Sequence, residues 1–168
     1  GDVFPMTRLL ALDASTTCVG FAVFEDGEYQ ESGVYVPPAK KPWQMRLHYI
    51  REWLEDKLYL WSCYPGTVAY EIASGNRGNM ATHRKLGAVE WVCWSVISDY
   101  GSRWLEVNVQ HVKASGCHKH ALPMARAISG KRLDGKRAGD EADAIGVGLA
   151  ALAKLQESAI ESATEHER

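Results

Sequence analysis

The chain is poor in several features that define whole classes of protein. Its 168 residues include only four cysteines, Cys18, Cys63, Cys93 and Cys117, with no Cys-x-x-Cys pair. A domain of this length needs no disulfide framework, so we expect free, buried thiols. No apolar run approaches the roughly 20 residues that cross a bilayer, and residues 1–5 lack the apolar segment of a signal peptide. These absences predict a soluble, cytoplasmic protein with no membrane partner.

A positive net charge is also absent. The formal net charge of −2 argues weakly against a nucleic acid ligand. The distribution of charge matters more, because acidic residues gather in the tail 157–168, whereas Lys119–Arg137 holds six cations and one acid. A solvated run of charge is the alternative interpretation of that segment. The chain has no internal repeat and is 46% hydrophobic, which predicts a single domain over 1–168 with residues 1–7 disordered or foreign and a frayed tail.

The spacing of apolar residues predicts a mixed α/β fold. The predicted elements are strands at 8–14, 19–24 and 29–36, a helix at 43–61, a strand at 67–72, a helix at 80–100, a strand at 103–109, short helices, and a closing helix at 140–156. Asp26-Gly27 is typical of a hairpin turn. Gly146 and Gly148 are expected to allow close backbone approach. We predict a five-stranded mixed sheet, an antiparallel meander joined to βαβ units, with helices on both faces.

Four acidic residues do not suit their local elements. Asp13 ends one apolar strand and Glu71 interrupts another. Asp140 and Asp143 open the last helix on one face. Carboxylates at such positions are hard oxygen ligands for Mg²⁺, and two such ions can stabilise both oxygens of a phosphodiester displacement. Together these acids predict a divalent-metal site and a nuclease.

Each acid also has an ordinary structural explanation. Asp13 could cap its own turn, and Glu71 could be satisfied by a salt bridge. Asp140 or Asp143 could cap the helix or suit its dipole. Glu141 lies about 100° further round the helix, where we expect it to be solvated or to act as a substitute ligand. The joint placement, rather than any single acid, favours the metal site.

Five short motifs follow one another along the chain. They are LALDASTTCVG at 10–20, VAYE at 68–71, RKLG at 84–87, QHVK at 110–113 and DEADAI at 140–145. In this order they resemble the RuvC family of Holliday-junction resolvases, in the RNase H-like superfamily, from about Leu9 to Leu152. The resemblance implies an RNase H-like fold and a homodimer. It also implies two Mg²⁺ or Mn²⁺ ions per active site, held by Asp13, Glu71, Asp140 and Asp143.

The same resemblance implies an activity. A protein of this family would resolve four-way DNA junctions by paired hydrolysis that leaves 5′-phosphate and 3′-hydroxyl ends, in a bacterial cytoplasm or a phage-infected cell. Lys113 and Lys119 match basic residues near the scissile phosphate. Ala14-Ser15 replaces the Pro-Gly of many relatives, and Ser74 falls where some carry an aromatic residue that stacks on junction bases. Tyr70, or the loop 75–79, is our hypothesis for the replacement.

Other residues are expected to contact DNA or a second copy of the chain. The cations expected to follow the DNA backbone are Arg77, Arg84, Lys85, Lys131, Arg132, Lys136 and Arg137. Trp91 and Trp94 on the second long helix are predicted to form the homodimer, since two symmetric cuts require two sites. The alternative is that both tryptophans belong to the core.

Three rival functions remain open. Residues 12–17 with Gly20 also resemble the phosphate-binding hairpin of sugar-kinase and actin-like ATPases, although 168 residues leave no room for the second domain of those enzymes. Another RNase H-like nuclease would act on RNA–DNA hybrids or other branched DNA. A non-catalytic adaptor would bind branched DNA or a protein without metal-dependent activity.

Overall fold

A five-stranded mixed sheet forms the centre of the protein in this computed structural model, which describes residues 7–60, 66–72 and 78–167. The strands are β1 (Arg8–Ala14), β2 (Val19–Glu25), β3 (Glu28–Tyr35), β4 (Thr67–Glu71) and β5 (Arg103–Val107). The helices are α1 (Trp43–Leu60), α2 (Met80–Asp99), α3 (Val109–Ala114), α4 (Leu122–Ser129) and α5 (Ala138–His166). The strand order is β3-β2-β1-β4-β5, with β1 antiparallel to β2 and parallel to β4. The predicted mixed sheet is confirmed.

The hairpin between β2 and β3 follows from its two turn residues. Asp26 and Gly27 both have positive φ, at 50° and 84°. Two such residues twist a hairpin in the same sense as its strands. The Thr7 N–H also donates a hydrogen bond to the Asp26 carboxylate over 3.0 Å. The predicted turn is therefore confirmed, and it is fastened to the start of β1.

Helix α5 packs against one face of the sheet through small residues. Most of its buried positions are alanine or glycine. A Cβ atom at Gly146 would overlap the carbonyl oxygen of Cys117, and one at Gly148 would overlap the Phe24 ring. The close backbone approach predicted for these two glycines is confirmed.

Helix α5 is longer than predicted at both ends. It begins at Ala138 rather than Asp140 and ends at His166 rather than Gln156. The sequence from residue 157 onward is rich in alanine and glutamate, which are good helix formers, so the helix continues. The expectation of a frayed tail is wrong for the described part of the tail.

The opposite face of the sheet is covered by α1 and α2 through large side chains. Ile50, Leu54 and Leu58 of α1 are fully buried there. On α2 the predicted inward stripe is confirmed at its buried members, which are Val89, Cys93, Val96 and Ile97. Helices therefore lie on both faces, as expected.

The expectations about cysteines and about membrane-spanning segments can be compared with the described residues. Cys18, Cys93 and Cys117 are free and buried, as predicted, while Cys63 lies outside the described residues. Residues 1–5 lie outside them as well. Within the described ranges, we find no helix that combines the length and the apolar character required to cross a membrane.

Candidate active site

The first two acids lie at the ends of neighbouring parallel strands. Asp13 is near the end of β1 and Glu71 is the last residue of β4. The register pairs Leu12 with Tyr70, so the next residues on the two strands are Asp13 and Glu71. Ser15 rather than Asp13 makes the turn that follows β1, because its hydroxyl accepts from the backbone N–H of Cys18 over 3.2 Å. The turn-capping explanation for Asp13 is therefore wrong.

Helix α5 brings the other two acids to the same place because strand β2 has a glycine opposite Asp13. Gly20 is the register partner of Asp13. A Cβ atom at Gly20 would overlap the backbone carbonyl of Asp140, so the helix rests directly on the strand. Any larger residue would push the start of α5 away from β1. Asp140 is the third residue of the helix, and neither it nor Asp143 is the N-cap, which is Arg137.

The charges of the four acids act on one another. Burial raises the pKa of Asp13 well above its ordinary value, and the charges of Glu71, Asp143 and Asp140 raise it further. The positive charge of Lys119 opposes this increase. Carboxylates that raise the pKa of a neighbour destabilise its ionised form, which a cation placed among them would favour. The electrostatics of Asp13 therefore suit a bound cation.

Asp143 is held by the loop that precedes α4. The backbone N–H of Lys119 donates a hydrogen bond to one Asp143 oxygen over 2.7 Å. Burial still raises the pKa of Asp143, while that hydrogen bond and the charges of Lys119 and His118 lower it. The loop can lie this close because Gly139 has no side chain. A Cβ atom at this position would be only 2.9 Å from the Lys119 Cβ. The loop and the helix thus fix one acid together.

Asp140 has two partners of its own. Its carboxylate lies 3.7 Å from the guanidinium of Arg137. The buried Cys18 thiol also hydrogen-bonds to it, and burial together with the charge of Asp140 raises the pKa of Cys18 to about 12. Cys18 is therefore a neutral thiol and donates this hydrogen bond. Asp140 is therefore held by Arg137 at the start of α5 and by Cys18 in the loop between β1 and β2.

Two clefts flank the acids, and Glu71 lines both. The first, of about 370 Å³, is also lined by Asp13, His83, Glu90 and Glu106. Burial and the charge of Glu106 raise the pKa of Glu90. A substrate that enters this cleft would meet further negative charge beyond the predicted ligands.

The second cleft, of about 220 Å³, carries positive charge. Lys113 and Lys119 line it together with Glu71, Asp143 and His118. Both predicted lysines therefore lie beside two of the four acids. This cleft offers cations to an anionic group that approaches the carboxylates.

Several residues of these clefts were not identified from the sequence. Glu106 is paired in register with Tyr70 on the adjacent parallel strand, so a polar residue near a strand end was the available signal. Glu90 gave no such signal, because one acid on a long helix resembles any solvated residue. His118 directly precedes Lys119, and its Nδ1 accepts a hydrogen bond from the His120 N–H over 3.2 Å.

The prediction for Glu141 is wrong. This residue is buried rather than solvated, with 8% of its surface exposed. Its carboxylate accepts hydrogen bonds from the Lys131 ammonium and the Ser32 hydroxyl, each over 2.6 Å. Because strand β3 and the loop before α5 both supply partners, the acid on this side of the helix faces the protein. Glu141 therefore fastens that loop and is not a substitute ligand.

Three of the four cations in the basic loop, residues 131–137, already have acidic partners. Lys131 pairs with Glu141, Arg137 with Asp140, and Arg132 with Asp134 over 3.2 Å. Lys136 is exposed, and none of the ion pairs between described residues includes it. Pairing with acids leaves fewer unpaired cations for a polyanion than the sequence predicted.

The remaining predicted DNA contacts lie on or near α2. Arg84 is exposed, and its guanidinium lies 5.8 Å from the centre of the Trp43 ring. Lys85 is partly buried beside it. Arg77 and Ser74 lie outside the described residues, as does most of the loop 75–79. The predicted backbone contacts of Arg84 and Lys85 stay a hypothesis.

The aromatic residues fall into two groups. Tyr70 is 3% exposed and stacks on Trp104 with ring centres 4.9 Å apart, so the hypothesis that it stacks on bases is wrong. Its place in the middle of the sheet is the physical reason. Trp91 and Trp94 are instead 62% and 46% exposed, which excludes the core interpretation for both.

The donor set fits a hard divalent cation in its chemistry. All four predicted ligands are carboxylates, the preferred ligands of Mg²⁺ and Mn²⁺. Within the described ranges, however, no three acidic, histidine or cysteine side chains already form a cation site. Asp140 and Asp143 are turned in part toward Arg137 and Lys119. Binding of an ion would therefore require these side chains to reorient.

Known structures share this architecture. A structure of RuvC from Thermus thermophilus in complex with a Holliday junction substrate is 19% identical, covers 86% of this chain and 91% of that chain, and has a TM-score of 0.69. A second Thermus thermophilus RuvC structure is 19% identical, covers 86% of this chain and 92% of that chain, and has a TM-score of 0.67. The chain has the RuvC fold.

The RNase H-like fold that the motifs implied is thereby confirmed. No protein-family model matches the chain, and no curated protein matches it either. At 19% identity the likeness to RuvC concerns the path of the backbone. The chemistry of the site is therefore argued from the residues themselves.

Proposed function

We propose that this chain is a structure-selective endonuclease that resolves four-way DNA junctions by metal-dependent phosphodiester hydrolysis. The observation that carries the proposal is the group of acids around Asp13, whose pKa is raised first by burial and then by the charges of three other carboxylates. Keeping such charges together at a strand end is unfavourable without a cation, and such groups are typical of functional sites. The RuvC fold supports the choice of substrate, since the similar Thermus thermophilus protein is seen with a Holliday junction.

The four carboxylates of Asp13, Glu71, Asp140 and Asp143 are the proposed ligands of two Mg²⁺ or Mn²⁺ ions. Such ions, when bound, supply an activated water and neutralise charge on the leaving 3′ oxygen, so that 5′-phosphate and 3′-hydroxyl ends result. Lys113 and Lys119 stabilise negative charge on the phosphate from the second cleft. Lys119 also holds Asp143 through its backbone N–H. The loop before α4 would therefore contact the phosphate through the Lys119 side chain and hold a proposed metal ligand through the Lys119 backbone.

Recognition of the junction is proposed to depend on its shape. Arg84, Lys85 and Lys136 are the predicted cations without an acidic partner among the described ion pairs. Contacts to phosphates position DNA but carry no sequence information. The other cations of the basic loop would have to exchange their carboxylate partners for phosphates. Binding would then be weak at high salt.

The proposed enzyme acts as a homodimer through α2. Trp91 and Trp94 lie three residues apart on the exposed side of this helix. Tryptophan is among the residues that contribute most to protein interfaces. A two-fold dimer supplies two sites for two symmetric cuts. The exposed tryptophans are the observation that supports this arrangement.

A synthetic immobile four-way junction tests the function directly. Purified protein is incubated with it in EDTA and after addition of Mg²⁺, and the nicks on every strand are mapped. We expect no cleavage in EDTA and paired, symmetric nicks with Mg²⁺. A linear duplex of the same sequence and an RNA–DNA hybrid are the matched controls. Faster cleavage of the hybrid than of the junction would replace the proposal with a hybrid nuclease.

A non-catalytic adaptor for branched DNA is the alternative. The lack of a preformed cation site among the described residues favours it. It predicts that the junction is bound with the same affinity with and without Mg²⁺ and is never cut. Gel-shift and cleavage assays on one preparation separate the two functions.

A further inference from the structure

An apolar groove lies where α3, α4 and α5 meet, away from the acids. Its volume is about 560 Å³. Met124 and Ile128 of α4 line one side, and Leu149 and Ala153 of α5 line the other. Met124 is an apolar side chain with 49% of its surface exposed. Exposed apolar grooves of this kind are typical of surfaces that bind a partner.

The apolar face continues along α5 beyond the groove. Ile160 is 60% exposed on the part of α5 that extends past the last buried residue, Ala151. It lies seven residues after Ala153, which is two helical turns, and so on the same side as Ala153 and Leu149. An occupant of the groove could therefore extend along the helix and cover Ile160. Its shape would be elongated.

The charge along this path is negative. Lys154 lines the groove and keeps its positive charge, and its ammonium donates a hydrogen bond to the backbone carbonyl of Glu106 over 3.0 Å. Glu157 also lines the groove. Glu161 follows one turn later, on nearly the same side, and is exposed. One lysine therefore stands against two glutamates along the path, which leaves a formal charge of −1. A partner that fills the groove would meet two carboxylates beside the apolar stripe.

The path leads away from the candidate active site. Leu149 lies roughly 9 Å along α5 from Asp143. With a rise of about 1.5 Å per residue, Ile160 lies roughly 25 Å along α5 from Asp143. The negative charge disfavours DNA as the occupant. The groove and the second cleft are both lined by α3 but share no lining residue, since His111 and Ala114 line the groove and Lys113 lines the cleft. An occupant of the groove would leave the cleft open. The groove therefore fits a protein partner rather than the substrate.

We propose that the groove, extended by Ile160 and flanked by Glu157 and Glu161, binds a basic amphipathic helix of another protein. Apolar side chains of that helix would fill the groove, as in other helix-in-groove complexes. Its lysine or arginine residues would pair with the two glutamates. The inference does not depend on the proposed nuclease activity.

Synthetic peptides test the inference on the full-length protein by fluorescence anisotropy. The probe has about 14 residues, long enough for a helix, with leucines at helical spacing and lysines between them. One comparison peptide carries glutamate in place of lysine, and another carries serine in place of leucine. We expect the leucine–lysine peptide to bind at least about tenfold more tightly than either, because it alone has both features.

Variants then locate the binding site. Ile160→Ser and the double variant Glu157→Gln/Glu161→Gln should each weaken binding about five- to tenfold. The matched control is Glu52→Gln/Glu55→Gln on α1, which removes the same charge from exposed positions elsewhere. It should leave binding unchanged. Circular dichroism checks that α5 stays helical in each variant.

Three results would overturn the inference. The first is equal binding of the leucine–lysine and serine–lysine peptides, since charge alone would then explain it. The second is a control variant that weakens binding as much as the variants of the groove. The third is self-association of the wild-type chain that Ile160→Ser abolishes, because a second copy would then occupy the surface.

Discussion

The two faces of the sheet are packed in different ways. On the α5 face, glycines at 20, 146 and 148 bring the helix backbone directly against strands and loops. On the other face, α1 and α2 pack through large apolar side chains such as Ile50 and Leu54. In the first arrangement a Cβ atom at any of these three glycines would overlap a neighbouring atom. The second leaves α2 with an exposed side that carries two tryptophans.

This difference separates two requirements of the candidate enzyme. The backbone segments that carry the acids must keep fixed positions relative to one another, and a helix seated on glycine cannot shift without overlap of atoms. A binding surface needs exposed apolar area instead, which a helix held by one stripe can offer on its opposite side. Changes on the α5 face should therefore alter cleavage and stability, and changes on the exposed side of α2 should alter association.

The largest effect is expected for Asp13→Asn. We expect cleavage of the junction to fall at least about a hundredfold, because the amide is a poor ligand for a hard cation and carries no charge. Binding of the junction should stay the same or become tighter, since one negative charge beside the phosphate is removed. Initial cleavage rates and gel-shift titrations measure the two quantities.

The control for that experiment lies on the other face of the sheet. Asp56→Asn on α1 removes one exposed carboxylate of the same type. It should cleave at the wild-type rate. If the Asp13→Asn variant cleaved the junction at the wild-type rate, the acidic cluster would not be the catalytic site, independent of the result for Asp56→Asn.

A matched pair of glycine substitutions compares the two faces next. A Cβ atom at Gly146 would overlap the Cys117 carbonyl, whereas one at Gly87 on α2 meets no atom within 4 Å. Gly146→Ala should lower the free energy of unfolding by about 2–4 kcal/mol through overpacking. Gly87→Ala should raise it by roughly 0.5–1 kcal/mol, because alanine is the better helix former. Urea denaturation of both variants gives the values.

The opposite signs of these two effects are the point of the experiment. If both substitutions were stabilising, the backbone of α5 at Gly146 would not be in close contact with the Cys117 carbonyl. Junction cleavage by Gly146→Ala at a temperature where it stays folded adds a second readout. We expect it to fall, because Asp143 lies one turn from Gly146 on the same helix.

The sequence predicted most of the fold because periodicity and turn chemistry are local. The alternation and length of the apolar runs gave β1 with its correct bounds, and Asp26-Gly27 gave the hairpin. The end of α5 was missed since the helix extends beyond the last apolar residue that packs on the sheet. High helix propensity stabilises this last part of α5, and the periodicity of apolar residues carries no information about propensity.

The candidate site was predicted less completely, because its geometry depends on contacts between distant residues. A polar residue at a strand end identified Asp13 and Glu71, and the register of β1 and β4 makes them neighbours. Nothing local indicates that Glu141 is buried by Lys131 and Ser32. Burial by partners far along the chain appears only once the helix, strand and loop are assembled.

The exposed side of α2 provides the third prediction. Trp91→Ala/Trp94→Ala should weaken a homodimer at least about tenfold, because exposed tryptophans contribute strongly to interfaces. The stability of the monomer should change little, since both rings are largely outside the core. Sedimentation over a range of concentrations measures the dimer. A wild-type chain that is monomeric at micromolar concentration would contradict the proposed interface.

The smallest effect concerns pH and compares Asp13 with its asparagine variant in metal-free buffer. The pKa of Asp13 is raised in the folded protein, first by burial and then by Glu71. The folded state therefore holds the proton more tightly than the unfolded state, so this group stabilises the fold most below its unfolded pKa. That stability is lost as pH rises through the raised folded value. Urea denaturation across this pH range should show that the free energy of unfolding of Asp13→Asn increases relative to that of the wild type as pH rises. The difference should become constant once Asp13 is ionised in both the folded and the unfolded protein. A difference independent of pH would mean that Asp13 is not crowded by the other acids.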